Sequence, residues 1–386
     1  MTYHLHGILC ANNYTISNLT LKNGNGDNSA YIQGSAVLEK NNNVTFNNLL
    51  FTNNTGEYGK NCKIQDSRNF KIINSDIIDN KGGSSFLFFN SVSDYDIFDT
   101  NYVINCRFIN NNPDTTESAF GSGLHFGSYI GEPETFECVV INSLFVDNYG
   151  RNTHNGAQSV GVGTTDDARV YLINCTLANN MSDNPDAAAI SVNYGSDMHI
   201  FNSIIYNNQY APAYMFTMAY AGESNLYVNN SLVDGGENNI NIITGLNNLY
   251  YDETNIDEDP LFYGGPDFPY NLSNSSPCID AGTLEIPEWI ELPETDLAGN
   301  PRIYGTTIDM GAYEWNPTVG VDEYKPIKKD KEKLLVAAPN PFRGSKTITA
   351  TYTKKGNYKI EIYSNFGQRV RVLFKGSALP GNSKII

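Results

Sequence analysis

An apolar residue, a spacer, Asn, a small residue, a spacer and a second apolar residue recur eight times in the first 240 residues, each time followed by a pair rich in Asn, Asp and Gly. The copies open at Ile16-Ser17-Asn18, Phe46-Asn47-Asn48, Ile72-Ile73-Asn74, Val103-Ile104-Asn105, Val140-Ile141-Asn142, Leu172-Ile173-Asn174, Ile200-Phe201-Asn202 and Val228-Asn229-Asn230. Three residues beyond each Asn stand Leu21, Phe51, Ile77, Phe108, Phe145, Leu177, Ile205 and Val233, all apolar. The Asn-to-Asn spacings are 30, 26, 31, 37, 32, 28 and 28 residues, a repeat with variable insertions. A chain built this way buries its apolar residues only by stacking one copy on the next.

Apolar and polar residues alternate up to each Asn and restart in a new phase just after it, as in Ile72-Ile73-Asn74-Ser75-Asp76-Ile77. Two short strands meeting at an Asn corner explain that slip. Asn53-Asn54, Asp79-Asn80, Asn110-Asn111, Asp147-Asn148, Asn179-Asn180, Asn207-Asn208 and Gly235-Gly236 then read as the next turn, since Asn, Asp and Gly tolerate positive φ. A third, less regular strand completes each coil, for example Ala188-Ala189-Ile190-Ser191-Val192. The predicted fold is all-β: a right-handed parallel β-helix with three strands per coil and about 8 to 10 coils of about 30 residues. The corner residues Asn18, Asn48, Asn74, Asn105, Asn142, Asn174, Asn202 and Asn230 are expected to stack as an amide ladder. Leucine-rich repeats would need a helical half in every copy, and propeller blades about 40 residues; neither fits.

Charge divides the chain. Residues 1–316 hold 11 Lys/Arg against 37 Asp/Glu, net −26, and residues 317–386 hold 14 against 5, net +9, which sum to the overall −17. The acidic body speaks against nucleic acid and anionic membrane surfaces, and no apolar run approaches the length of a membrane span. The six Cys have no paired spacing for zinc or redox work. Cys106 and Cys175 follow the corner Asn where Ser stands in other copies, so they read as free, buried thiols, two rungs or roughly 10 Å apart and beyond disulfide reach. Met1 is not followed by a secretion signal but leads almost at once into a repeat, and further coils with a leader are expected upstream.

From Asp257 the pattern changes to Asp259-Pro260-Leu261-Phe262, Ser276-Pro277-Cys278-Ile279-Asp280-Ala281-Gly282, Asp296-Leu297-Ala298-Gly299-Asn300-Pro301-Arg302 and Ile308-Asp309-Met310-Gly311-Ala312-Tyr313-Glu314. This series resembles the C-terminal part of secreted bacterial β-helix proteins of the choice-of-anchor Q type, within the pectin-lyase-like fold. Rich in Pro, Gly and Asp, it suits a small β-rich cap over the open sheet edge of a solenoid. Further on, Pro339-Asn340-Pro341-Phe342 and Tyr358-Lys359-Ile360-Glu361-Ile362-Tyr363 resemble a type IX secretion sorting domain, a partial Ig-like β-sandwich that stops short of its usual last strands. The expected organisation is therefore β-helix repeats over 1–250, a cap over 251–316, a charged linker over 317–334 and a sorting domain over 335–386. The resemblance implies a secreted protein, extracellular or on the outer-membrane surface of a Gram-negative bacterium, with the type IX machinery as a partner through 335–386.

The favoured function is a monomeric binding or structural module, adhesin-like, whose partner is an extracellular polysaccharide or a cell-surface glycan. The alternative is a polysaccharide lyase or glycoside hydrolase, since parallel β-helices host such enzymes. A hydrolase needs clustered carboxylates, and a lyase needs a cation with a base. Arg151, His154, Asp166, Asp167 and Arg169 fall in one long coil and are the catalytic candidates, each with a bland reading as solvated loop or strand residues. His125 alternates with apolar neighbours and reads as a packed histidine. No cofactor is required. Calcium is the one ion these carboxylates would suit, at Asp252, Asp257, Glu258 and Asp259, with Asp94, Asp96 and Asp99 as a second cluster. Tyr206, Tyr210, Tyr214 and Tyr220 are a candidate sugar-stacking face.

Overall fold

The computed structural model describes residues 12–23, 36–39, 42–56, 62–82, 86–90, 100–111, 123–128, 136–150, 159–165, 167–182, 188–209, 211–216, 222–242, 246–264, 268–317, 335–338, 347–352, 356–363, 369–378 and 381–385. The chain divides into two compact units, Met1–Pro317 and Thr318–Ile386.

The first unit is a parallel β-solenoid. One sheet is made of paired limbs that meet at the corner Asn, such as Asn101–Ile104 with Arg107–Ile109 and Ala168–Ile173 with Thr176–Ala178. The opposing sheet stacks Cys62–Gln65, Phe86–Asn90, Leu124–Ser128, Ser159–Thr165, Ala188–Asn193 and Ala211–Phe216. Register follows the repeat directly: Val103 pairs with Ile72 and with Val140, and Leu172 with Val140 and Ile200. Every corner Asn has φ between 43° and 57°. That left-handed conformation is one Asn adopts more readily than other non-glycine residues, and it interrupts the pleat so that one strand becomes two.

The apolar positions of the repeat form the core. Phe46, Ile72, Val103, Val140, Leu172, Ile200 and Val228 on one limb, and Phe51, Ile77, Phe108, Phe145, Leu177, Ile205 and Val233 on the other, are all buried. Like residues lie over like: the Phe108 and Phe145 rings stack at 4.7 Å. Each such side chain contributes roughly 1.5–3 kcal/mol by leaving water. The position after the corner is a second buried file, where the Cys106 N–H donates to Ser143 Oγ, Cys175 N–H to Ser203 Oγ and Ser203 N–H to Ser231 Oγ. Cys62, Cys106, Cys138, Cys175 and Cys278 are free, buried thiols, and burial pushes the Cys106 and Cys175 thiols up to about 12.

The continuous amide ladder is not at the corner. It stands six residues later, in Asn54, Asn80, Asn111, Asn148, Asn180 and Asn208. Each Nδ2 donates to the next Oδ1 at 2.9–3.0 Å. Each Oδ1 from Asn80 onward also accepts the backbone N–H of the preceding ladder residue. The second amide hydrogen goes to a carbonyl on the coil before, as from Asn148 to Phe108. These amides thus replace, in the dry interior, the water that a turn backbone requires. The corner file is broken by comparison: Asn48 donates to Asn18, Asn105 to Asn74 and, at 3.5 Å, Asn202 to Asn174, but Asn74 donates to Asn47, and the Asn142 and Asn230 amides turn to the segment after Asp257.

The second unit holds two antiparallel sheets. One orders Leu335–Ala338, Thr347–Tyr352 and Gly381–Ile385; the other pairs Gly356–Tyr363 with Arg369–Ala378.

Candidate functional site

The segment after Asp257 runs along the side of the solenoid, where the sequence reading expects a plug over its end. It packs on the outward faces of the corner strands: Tyr313 and Ala312 on Leu144, Val146 and Ala178, Ile290 on Val139, Ile141 and Ile173, and Met310 and Cys278 on Ile204 and Leu232. The last four corners clasp it. Asn142 Nδ2 donates to the Thr295 carbonyl, Asn174 Nδ2 to the Asp309 carbonyl and Asn202 Nδ2 to the Thr283 carbonyl, while Asn202 Oδ1 accepts the Thr283 N–H. Asn230 Nδ2 reaches the Ala281 carbonyl at 3.4 Å.

The later three of the four ordered blocks form a buried lock. Arg302 is 4% exposed and Glu314 2%, and they pair at 3.1 Å. Arg302 also donates to Asn142 Oδ1 and to the Asp309 and Gly311 carbonyls. Asp296 accepts the backbone N–H groups of Ala298, Asn300 and Glu314, and Asp309 accepts those of Asp280 and Trp315. Burial raises Glu314 to about 7 and Asp309 to about 6, outweighing the nearby guanidinium. Gly311 holds φ 95°, and a Cβ there would meet Ile204 and Thr176 side chains, so the segment touches the solenoid where only glycine fits.

Beside this clasp the outward face of the same sheet carries two aligned files. Strand register places Tyr171, His199, Tyr227 and Tyr250 in one row. Their rings stack at 4.8, 4.3 and 4.5 Å with interplanar angles of 14°, 1° and 5°. Burial lowers His199 to about 4, so it stacks as a neutral ring at ordinary pH. Exposure grows along the row, from Tyr171 at 8% to Tyr250 at 50%. Trp289, 45% exposed, stands perpendicular to Tyr171 at 5.2 Å. Next to the rings runs a polar row in register: Glu137, Arg169, Asp197, Asn225 and Asn248. Arg169 lies 3.4 Å from Glu137 and 3.2 Å from Asp197. Asn225 donates to Asp197, and Asn248 to both Asn225 and Glu223.

Stacked rings turn their edges and hydroxyls outward and leave a free face only at an end. Trp289 and Tyr250 thus bracket three rungs, about 14 Å, of ring edges and hydrogen-bonding side chains.

Of the catalytic candidates, Arg151, His154 and Asp166 lie outside the described residues. Asp167 sits in a turn at φ 60°, its carboxyl raised by burial and then by Asp197. Arg169 belongs to the polar row. His125 is buried, 3.4 Å from Thr165 Oγ1. Asp252, Asp257 and Asp259 accept the N–H groups of Thr254, Gly235 and Leu261 as turn fasteners, and Glu258 is exposed. Among the described residues no three His, Cys, Asp or Glu come together as a metal set; Asp94, Asp96 and Asp99 lie outside them. Of the tyrosine candidates, Tyr206 packs edge-on against Phe262, Tyr214 lies on Ala211–Phe216 in the opposing sheet, and Tyr210 and Tyr220 fall outside the described residues. The ring file is not among the candidates the sequence offers, although its members share one repeat position, three residues before the corner: Tyr171, His199 and Tyr227 before Asn174, Asn202 and Asn230.

No helix among the described residues is long and apolar enough to cross a membrane. Comparison with protein-family models, with curated proteins and with solved structures returned no match.

Proposed function

We propose that the chain is a secreted, surface-displayed solenoid that holds an extracellular glycan along the face between Trp289 and Tyr250. The observation that carries this reading is the open ring file with its hydrogen-bonding flank. Rungs recur at a spacing near that of successive sugars in an extended glycan, so repeating hydroxyls meet repeating partners. An open ring at either end, Trp289 and Tyr250, with ring hydroxyls and polar side chains between them, suits the chemistry of sugar capture. The catalytic alternative gains no support from Arg169, whose charge is engaged by a carboxylate on either side. In the same proposal residues 335–386 serve as the export signal, on the strength of the sorting-domain resemblance.

The test is binding of the full chain to a panel of extracellular glycans, beside Tyr227→Ala and Trp289→Ala. Each substitution is expected to weaken the best ligand about tenfold, with unfolding temperature little changed. Unchanged binding in both would place recognition elsewhere.

A further inference from the structure

Resting on the glycan-binding reading, we propose that the ligand of this face is a glycan bearing protonated amino groups and that its ammonium sits on the free face of Tyr250, drawn there by the acidic row beside the rings. The same column of the sheet, beyond Val139, already contains one such contact. Tyr102 occupies the same register position two rungs before Tyr171, and Lys71, one rung further, holds its Nζ over the Tyr102 ring at 5.0 Å. An ammonium over an aromatic face is stabilised by the ring quadrupole. At the opposite end Tyr250 lies on the last strand of the sheet and stacks on Tyr227 with one face only.

Charge on the flank points the same way. Glu137, Asp197 and Glu223 line it, and Arg169 is its only cation among the described residues, already shared between Glu137 and Asp197. The flank therefore carries a net charge of about −2, set in a body of net −26 over residues 1–316. A polyuronate would bring carboxylates against carboxylates with no free cation to receive them. An amine-bearing polymer meets both the acidic row and the open ring.

Calorimetric titration of the full chain with a glucosamine oligomer, its N-acetylated counterpart and an oligogalacturonate tests the proposal. The glucosamine oligomer is expected to bind about tenfold or more tighter than the acetylated one, with affinity falling as salt rises. Tyr250→Ala and Glu223→Gln are each expected to weaken the amine ligand about three- to tenfold and to leave the acetylated ligand unchanged. Both positions are exposed, and matching unfolding curves establish that the variants fold. Equal affinity for the acetylated oligomer, or preference for the uronate, overturns the amine assignment and leaves the glycan reading standing. Absence of binding to all three overturns both.

Discussion

Asn148 makes four hydrogen bonds with one buried amide: two donated, to Phe108 O and Asn180 Oδ1, and two accepted, from the backbone and side chain of Asn111. Asn148→Ala strands those partners in the interior, and a loss of about 2–4 kcal/mol is expected by denaturant unfolding. Asn110→Ala, one residue before a ladder position, removes an exposed side chain and forces Ala to φ 52°, for about 1–2 kcal/mol. Comparable losses in the two variants would remove the distinction between ladder and turn. Glu314 gives a residue-scale prediction in pH. Its carboxyl is raised from the ordinary range to about 7, so the folded state retains a proton that the unfolded chain releases. The stability this confers is complete below the ordinary carboxylate range and is lost as pH rises through about 7. Asp309, raised to about 6, acts in the same sense; His199, lowered to about 4, acts in the opposite one. Glu314→Gln is expected to flatten the decline in unfolding temperature between about pH 5 and pH 8; an unchanged slope would assign the decline to other groups.

At the scale of elements, the strands and their corners were readable because the repeat fixes which side chains stack, whatever the insertions between them. Ile77, Phe108, Phe145 and Leu177 are core residues in sequence and structure alike. The corner amides stack only in part, and the unbroken ladder lies six residues on, because Asn recurs at both positions, in eight copies at the corner and in six at the ladder, and only the hydrogen-bond partners separate them. The side-on path of residues 257–316 was illegible for a different reason: its partners lie far away in the chain, as Asn142 does from Arg302, and no period encodes them. The ring file was obscured because Val139 and Lys71 share its column, so the aromatic run is seen only once copies are aligned. Arg302→Ala tests the clasp by leaving Glu314 and Asn142 without their buried cation. A loss of about 3–5 kcal/mol is expected, with residues 280–310 becoming the first site of limited proteolysis. Cleavage elsewhere first would mean that Arg302 does not hold the segment down.

For the whole molecule, a basic unit of net +9 follows, in the chain, an acidic body of net −26 that contains the solenoid. In a host with type IX secretion, and with a secretion leader joined to the N-terminus of both, a chain lacking residues 335–386 is expected to fold and remain in the periplasm while the full chain reaches the surface; equal export of both would end the sorting assignment. The decisive measurement for the function is a single glycan panel read both for retention by the protein and for new unsaturated or reducing ends after long incubation. Retention that falls with Tyr227→Ala, and no new ends on any polymer, is the expected result. Cleavage of a retained polymer would contradict the account and make this face the groove of an enzyme.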